Sequence, residues 1–352
     1  MDWETWLETK SKKDDEDKIV SLDISNNRLG HLPAEIGQLT SLTELDISLS
    51  SLRALPPQIF ELTGLTKLRA SKNYLRRLPP KIGDLTALTE LNLSTNPLIT
   101  LPDSLERLTA LTRLNISYTL WDQLPLEICR LNALKELFVF HCGMNSLPPE
   151  IGQLTSLVDL TAFGNKFKTL PSEIGCLANL SHLDLSGNEF ETLPVEISRL
   201  TGLTALSLSW NQLSDLPPEI GQLVRLKKLN IASNRLETLP TEINQLTRLT
   251  VFDIRANKLG TVPAEISQLT ALTVLNLSYN LLKTLPREMN QLVSLRSFDV
   301  LLYNEQRDLE LPPIIPTCRL VSNDRRKVQT SHQWWKRWSN ERAQAVIAYG
   351  VC

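Results

Sequence analysis

Apolar positions along this chain recur in a fixed phase. The pattern Leu-x-x-Leu-x-Leu-x-x-Asn appears as Leu88, Leu91, Leu93 and Asn96, and again as Leu180, Leu183, Leu185 and Asn188. A Leu-Pro or Val-Pro pair runs in step with it, twelve times at intervals of 23 residues, from Leu32-Pro33 through Val262-Pro263 to Leu285-Pro286. The Leu-x-Leu step has period 2 and predicts a short strand whose leucines turn inward while the flanking residues turn out. After each proline, segments such as Pro149-Glu150-Ile151-Gly152-Gln153-Leu154 space their apolar residues as a short α or 3-10 turn. Proline suits the start of such a turn, where no amide hydrogen is required. Each repeat turns about six or seven aliphatic side chains inward, worth roughly 1.5–3 kcal/mol each on full burial. A single repeat cannot bury them, so neighbours must stack and their strands must lie parallel.

The predicted architecture is therefore α/β, a solenoid with a parallel sheet on one side and short helical or 3-10 turns on the other. Three zones are visible: a charged lead over residues 1–18, the array over 19–302 and a divergent tail over 303–352. Trp3, Trp6 and Leu7 have i, i+3, i+4 spacing and predict one face of a capping helix. In the tail, Leu311-Pro312 follows the last regular pair by 26 residues, and Trp334, Trp335 and Trp338 alternate with Lys336 and Arg337. That tail reads first as a cap, with an interaction helix, a membrane-surface contact through these five residues, or disorder as the other readings. The asparagine that closes each ladder, Asn27, Asn73, Asn96 and Asn165 through Asn280, is expected to be buried and bonded to backbone of the adjacent turn. Ser50, Thr119, Cys142 and Tyr303 replace it, Tyr303 marking the end of the array. Glutamate stands two residues after the proline in nine of the twelve repeats, where it complements the positive end of a helical turn.

Composition narrows the function. The formal net charge of -2, from 37 basic and 39 acidic residues, supplies no global pull toward nucleic acid or anionic lipid. The N-terminus lacks the basic start and apolar core of a secretory signal. Five cysteines, odd in number and without CxxC spacing, fit a reducing compartment, so the expected location is cytoplasmic. Glycine-rich phosphate loops and zinc or nucleotide fingerprints are absent, and no cofactor is expected. The nearest arrangement to a catalytic one, Cys142 with His141, His182 and Asp159 or Asp184, fails because ladder phase turns Cys142 inward, away from His141. An enzyme is not expected.

The full repeat, Leu-Pro-x-Glu-Ile-Gly-x-Leu-x-x-Leu-x-x-Leu-x-Leu-Ser-x-Asn-x-Leu, resembles the 23-residue leucine-rich repeats of cytosolic Ras-pathway scaffold proteins. It is similar also to plant intracellular Ras-group repeat proteins, to the repeat arms of Roco-type proteins and to bacterial repeat proteins. The resemblance spans residues 19–302 and implies a horseshoe that binds proteins on its concave sheet. The chain departs from Roco-type members in having no GxxxxGK[ST] loop. Its tail is too short for the ubiquitin-ligase domains of some bacterial effectors.

Within such a sheet, positions 23 apart form columns, and breaks in a column are the functional signal. The column from Ser25 runs Ser48, Ser71, Ser94 and Ser117 before Phe140 and Phe163 interrupt it. One column over, Asp46, Arg69, Asn92 and Asn115 give way to Phe138, and the next adds Tyr118, His141 and Trp210. These rings are expected to form an exposed aromatic cluster, the usual form of a binding hot spot. Glu44, Lys67, Glu90, Arg113, Glu136, Asp159 and His182 form a charged column of alternating sign that predicts lateral ion pairs and fails near the cluster. Glu136, Asp159 and His182 are read as a polar rim, and Lys67, Arg69 and Arg113 as charges that orient the partner. The expected function is a monomeric, non-enzymatic scaffold in intracellular signalling that binds a protein partner and neither nucleic acid nor metal. The alternative is a bacterial effector or regulatory fragment whose tail recruits or modulates an enzyme or membrane.

Overall fold

The structure is a computed structural model that describes residues 3–300 and the dipeptide Arg319–Leu320. Its residues fall into two compact bodies divided between Asn165 and Lys166. In the first, helix α1 (Trp3–Lys10) leads into β1 (Ser11–Lys13), and then β2 (Ile19–Asp23), β3 (Glu44–Asp46), β4 (Lys67–Arg69), β5 (Glu90–Asn92), β6 (Arg113–Asn115), β7 (Glu136–Phe138) and β8 (Asp159–Thr161). A single turn of α-helix, α2 (Leu126–Cys129), lies between β6 and β7. The second body holds β9 (His182–Asp184), β10 (Ala205–Ser207), β11 (Lys228–Asn230), β12 (Val251–Asp253), β13 (Val274–Asn276), β14 (Ser297–Asp299) and β15 (Arg319–Leu320).

From β2 to β8 and from β9 to β14 the strands run parallel, and each residue pairs with the one 23 positions on, as Leu45 with Leu68 and Leu206 with Leu229. The expected parallel strands and short returns are thus present, and almost every return is a 3-10 turn. In the first, the Ile36 amide donates to the Pro33 carbonyl and the Leu39 amide to the Ile36 carbonyl. Proline's fixed φ sets up this i to i+3 chain and forfeits no hydrogen bond. The ladder leucines and the return isoleucines, Leu91, Leu93, Ile82 and their equivalents, are fully buried.

Asparagine closes each repeat as expected. Asn211 Nδ2 donates to the carbonyls of Leu185 and Leu208, both at 3.0 Å, while its Oδ1 accepts the Phe190 amide at 3.2 Å. Where the residue changes, part of this set is kept: Ser50 Oγ donates to the Ile24 carbonyl 26 residues back, and Thr119 Oγ1 to the Ile116 carbonyl of its own repeat. Asn27 departs from expectation, being half-buried with an Nδ2 that has no partner among the described residues. Its equivalents reach a carbonyl 26 residues back, as Asn73 reaches Ile47, a position that for Asn27 lies outside the described residues.

At the front, α1 lies against β1 and β2 and Leu7 is half-buried, while the side chains of Trp3 and Trp6 lie outside the described residues. Strand β1 pairs antiparallel with β2 and presents exposed Lys12 and Lys13, a charged strand that blunts the open sheet edge. At the other end the structure adds β15, parallel to β14 and beyond residue 302. Tyr303, Leu311-Pro312 and the segment from Trp334 to Trp338 lie outside the described residues.

Two predictions follow from the ladder and its neighbouring column. Asn211→Ala strips the buried Phe190 amide of its acceptor, while the Leu185 and Leu208 carbonyls keep the bonds from Asn188 and Asn234, so urea denaturation should show a loss of about 1–3 kcal/mol. Asp253 is buried on β12, and burial raises its carboxyl to about 6 despite Arg255 Nε at 3.5 Å. Its folded pKa then exceeds the unfolded value of about 4, so its contribution is complete below that pH and lost as pH rises through about 6. Asn230 and Asn276 occupy the same place on β11 and β13 and accept the same i+2 amide, so Asp253→Asn fits. The variant should match wild type near pH 4 and exceed it by roughly 1–3 kcal/mol above pH 7 in denaturation at the two pH values.

Candidate functional site

The outward side of β2–β8 is built from columns of mostly small polar residues held laterally. Ser71 Oγ donates to Ser48 Oγ at 3.0 Å, and Asp46 Oδ1 accepts the Ser48 amide at 2.9 Å. The aromatic residues break this pattern where expected. The Phe140 and Phe163 rings stack with centroids 4.6 Å apart and planes 6° from parallel. Tyr118 meets Phe140 edge-on at 5.4 Å and stacks on His141 at 5.1 Å, and His141 meets Phe163 edge-on at 5.0 Å. Four rings from three successive repeats thus form one contiguous group.

Its exposure differs from the expectation. Phe140 is only 4% exposed and Phe138 only 3%, so neither offers a contact surface. In-register strands lie about 4.8 Å apart, closer than a phenyl ring is wide, so rings on neighbouring strands cover one another. Phe140 lies under Tyr118, His141 and Phe163. Phe138 is covered instead by the Arg113 guanidinium, 5.1 Å from its centroid. The surface that remains is Tyr118, 51% exposed, with exposed His141 and half-buried Phe163.

Backbone geometry positions the two exposed rings. Tyr118 and His141 adopt the left-handed conformation, with φ of 57° and 53°. The residue before the ladder asparagine does so in every described repeat from Asn26 and Leu49 to Ala256 and Tyr279. Its amide donates to the next strand, Tyr118 to the Phe140 carbonyl and His141 to that of Phe163. Gly164 holds the same place one repeat on, at φ 68°, and a Cβ there would stand 2.3 Å from His141 Nδ1. Glycine therefore makes room for the imidazole to lie across the backbone. Sequence alternation alone does not reveal this turn.

The charged column pairs laterally in part, with Glu90 going instead to Arg69 of the next column. Lys67 bonds Glu44, Arg69 Nε meets Glu90 at 3.2 Å, and Arg113 meets Glu136 at 3.0 Å. The hydrogen bond from Lys67 holds the Glu44 carboxyl below its ordinary range. Lys67, Arg69 and Arg113 are thus engaged by neighbours rather than held free to orient a partner. Asp159 is buried and accepts a hydrogen bond from Thr161 Oγ1 at 3.1 Å. Cys142 is buried beneath this face, and burial pushes its thiol up.

His182 and Trp210 belong to the second body. His182 Nδ1 lies 2.6 Å from Ser181 Oγ, and Trp210, at φ 57°, is 67% exposed. Among the described residues, no group of three His, Cys, Asp or Glu side chains is placed to hold a metal ion. No helix among them is long and apolar enough to cross a membrane. Exposed Tyr74, Ile99 and Leu120 were missed, because strand columns alone were read; the same 23-residue step applied to the loops finds them.

Phe140 and Tyr118 separate packing from surface. Phe140→Ala should cost about 3–5 kcal/mol in chemical denaturation. Tyr118→Ala should stay near ±0.5 kcal/mol.

A family model described as leucine-rich repeat region matches residues 20–119 and 214–311, and one described as leucine rich repeat matches 179–200 and 202–223. Among solved structures, the chain is similar to a leucine-rich-repeat protein of Leptospira interrogans, at 34% identity and a TM-score of 0.75, covering 91% of this chain and 86% of that one. It is similar to the plant peptide hormone receptor RGFR1, solved in complex with RGF2, at 26% identity and a TM-score of 0.68. That match covers 88% of this chain and 60% of the receptor chain. An internalin of Listeria monocytogenes shares the fold at 23% identity and a TM-score of 0.62, over 79% of this chain and 86% of that one. No match is found among curated proteins.

Proposed function

Because this chain belongs to the leucine-rich-repeat family, we propose that it is a non-enzymatic binding protein that takes a protein partner on the outward face of its strands. The observation that carries this reading is the patch of Tyr118, His141 and Phe163 seated on buried Phe140. The other outward strand residues of the first body are mostly polar or charged, so the patch is the main apolar contact on that body's face, as exposed Trp210 is on the second. Aromatic residues in such settings supply most of the binding energy of protein interfaces. The plant receptor solved with RGF2 supports a peptide or protein as the ligand class.

The finer reading is a scaffold in intracellular signalling. Cys129, Cys142 and Cys176 are free, the last of them exposed, which supports a reducing, cytoplasmic setting. Similarity to the Leptospira protein favours the bacterial branch among the resemblances over the Ras-pathway one. The tail of the effector alternative lies outside the described residues, so it supplies no support for that reading.

Affinity capture from native extract tests the site, with Tyr118→Ala/His141→Ala beside wild type. Both positions are exposed, so the fold should persist, as checked by thermal melting. Recovery of the partner should fall at least tenfold, a change of about 1.4 kcal/mol. Equal recovery by the folded variant would remove the patch from the interface.

A further inference from the structure

The loops that follow β2, β3, β4 and β5 form a second surface, distinct from the strand face. Over residues 27–31, 50–54, 73–77 and 96–100 they carry Arg28, Arg53, Arg76 and Arg77 and not one Asp or Glu. Arg28, Arg53, Arg76 and Arg77 are exposed, and none of the four makes an ion pair among the described residues. Elsewhere in the same body arginines are matched. Arg69 has Glu90, Arg113 has Glu136, Arg107 has Asp84 at 3.0 Å, and Arg130 has Glu106 at 3.4 Å. In this body the arginines of the strand face and of the returns have acidic partners, and those of this loop edge have none among the described residues.

The edge also has shape. Arg53, Tyr74, Arg76 and Pro97 line a cavity of about 550 Å³. Arg53 and Arg76 hold equivalent places in successive repeats, and the Tyr74 amide donates to the Leu52 carbonyl at 2.7 Å, which seats Tyr74 beside the Arg53 loop. Stepping along the same edge, Ile99 is exposed and Leu120 is 84% exposed. Guanidinium groups present forked donors that match carboxylates, and Tyr74, Ile99 and Leu120 add apolar contact beside them.

We infer that this loop edge, around Arg53, Tyr74 and Arg76, is a docking site for an acidic segment of a partner protein that also carries apolar side chains. Charge complementarity selects the acidic character, and the exposed Tyr74, Ile99 and Leu120 select a segment that is not purely acidic. The variants that test it leave Tyr118, His141 and Phe163 unchanged, so its failure leaves the reading of that patch intact.

Fluorescence anisotropy on the full chain tests the inference. The probes are a short labelled peptide of alternating glutamate and leucine, its glutamine counterpart, and a labelled oligothymidylate. The glutamate peptide should bind, weaken as salt rises, and lose at least tenfold in affinity with Arg53→Gln/Arg76→Gln/Arg77→Gln. Tyr74→Ala should weaken it several-fold, and Arg107→Gln/Arg130→Gln, which removes the same sign of charge from the returns, should leave it unchanged. Thermal melts unchanged from wild type would show that the variants fold. Failure of the glutamate peptide to bind, equal binding by the triple variant, or equal binding of the glutamine peptide would overturn the inference. Tighter binding of the oligonucleotide than of the glutamate peptide would also overturn it, in favour of a nucleic-acid edge.

Discussion

Every side chain in these repeats has as its lateral neighbour the residue 23 positions away, and the rest of the structure depends on that register. Hydrogen bonds between parallel strands set the spacing, and the buried asparagine ties each turn to the one before it. Asn73 shows how much one side chain does: it donates to the Ile47 and Ala70 carbonyls and accepts the amides of Ser50 and Leu52. A slip of one residue would turn the ladder leucines outward and strand that amide in an apolar interior, two costs of several kcal/mol acting together. The register is therefore held at every repeat, and a single column position is a reliable address on the surface.

This is why the fold was so legible. Strands, returns, core and the substitutions at Ser50, Thr119 and Cys142 all follow from a period that repeats within the sequence itself. The site was only half legible. Which rings meet was readable, since Phe140 and Phe163 are adjacent in one column. Which rings face water was not, because alternation tells inside from outside but not how much a neighbour covers. Phe138 and Phe140 point away from the leucine core and are still almost fully buried, one beneath Arg113 and the other beneath Tyr118, His141 and Phe163. Burial on an outward face depends on the sizes of the residues on adjacent strands, a lateral property that no single strand records.

The same lateral logic applies to charge. Alternation of Glu44, Lys67, Glu90, Arg113 and Glu136 predicted lateral ion pairs, and Lys67, Arg69 and Arg113, also read as charges that orient a partner, each stand beside an opposite charge. Exposed pairs of this kind contribute about 0–1 kcal/mol to stability, and a partner would have to break them to use either member. Paired columns therefore make a quiet surface, neither strongly stabilising nor strongly attractive. Unpaired charge such as that of Arg53 and Arg76 attracts over a Debye length of about 8–10 Å, and so guides encounter in a way the paired columns do not.

Strain at Tyr118 and His141 has to be weighed against the other repeats before it is read as functional. A left-handed non-glycine residue costs roughly 1–2 kcal/mol. Yet Leu49, Lys72, Thr95 and Ala256 accept the same conformation, so it belongs to the turn and not to the patch. What distinguishes Tyr118 and His141 is the company of Phe140, Phe163 and Gly164. The turn fixes where each ring leaves the backbone, the buried phenylalanines fix how it lies, and Gly164 leaves space beneath the imidazole. A ring held on both counts has little rotamer freedom left to lose when a partner arrives, and ordering each free side chain would otherwise cost about 0.5–1.5 kcal/mol. If the patch binds a partner as proposed, Phe140 contributes without being touched, by holding rigid the two exposed rings.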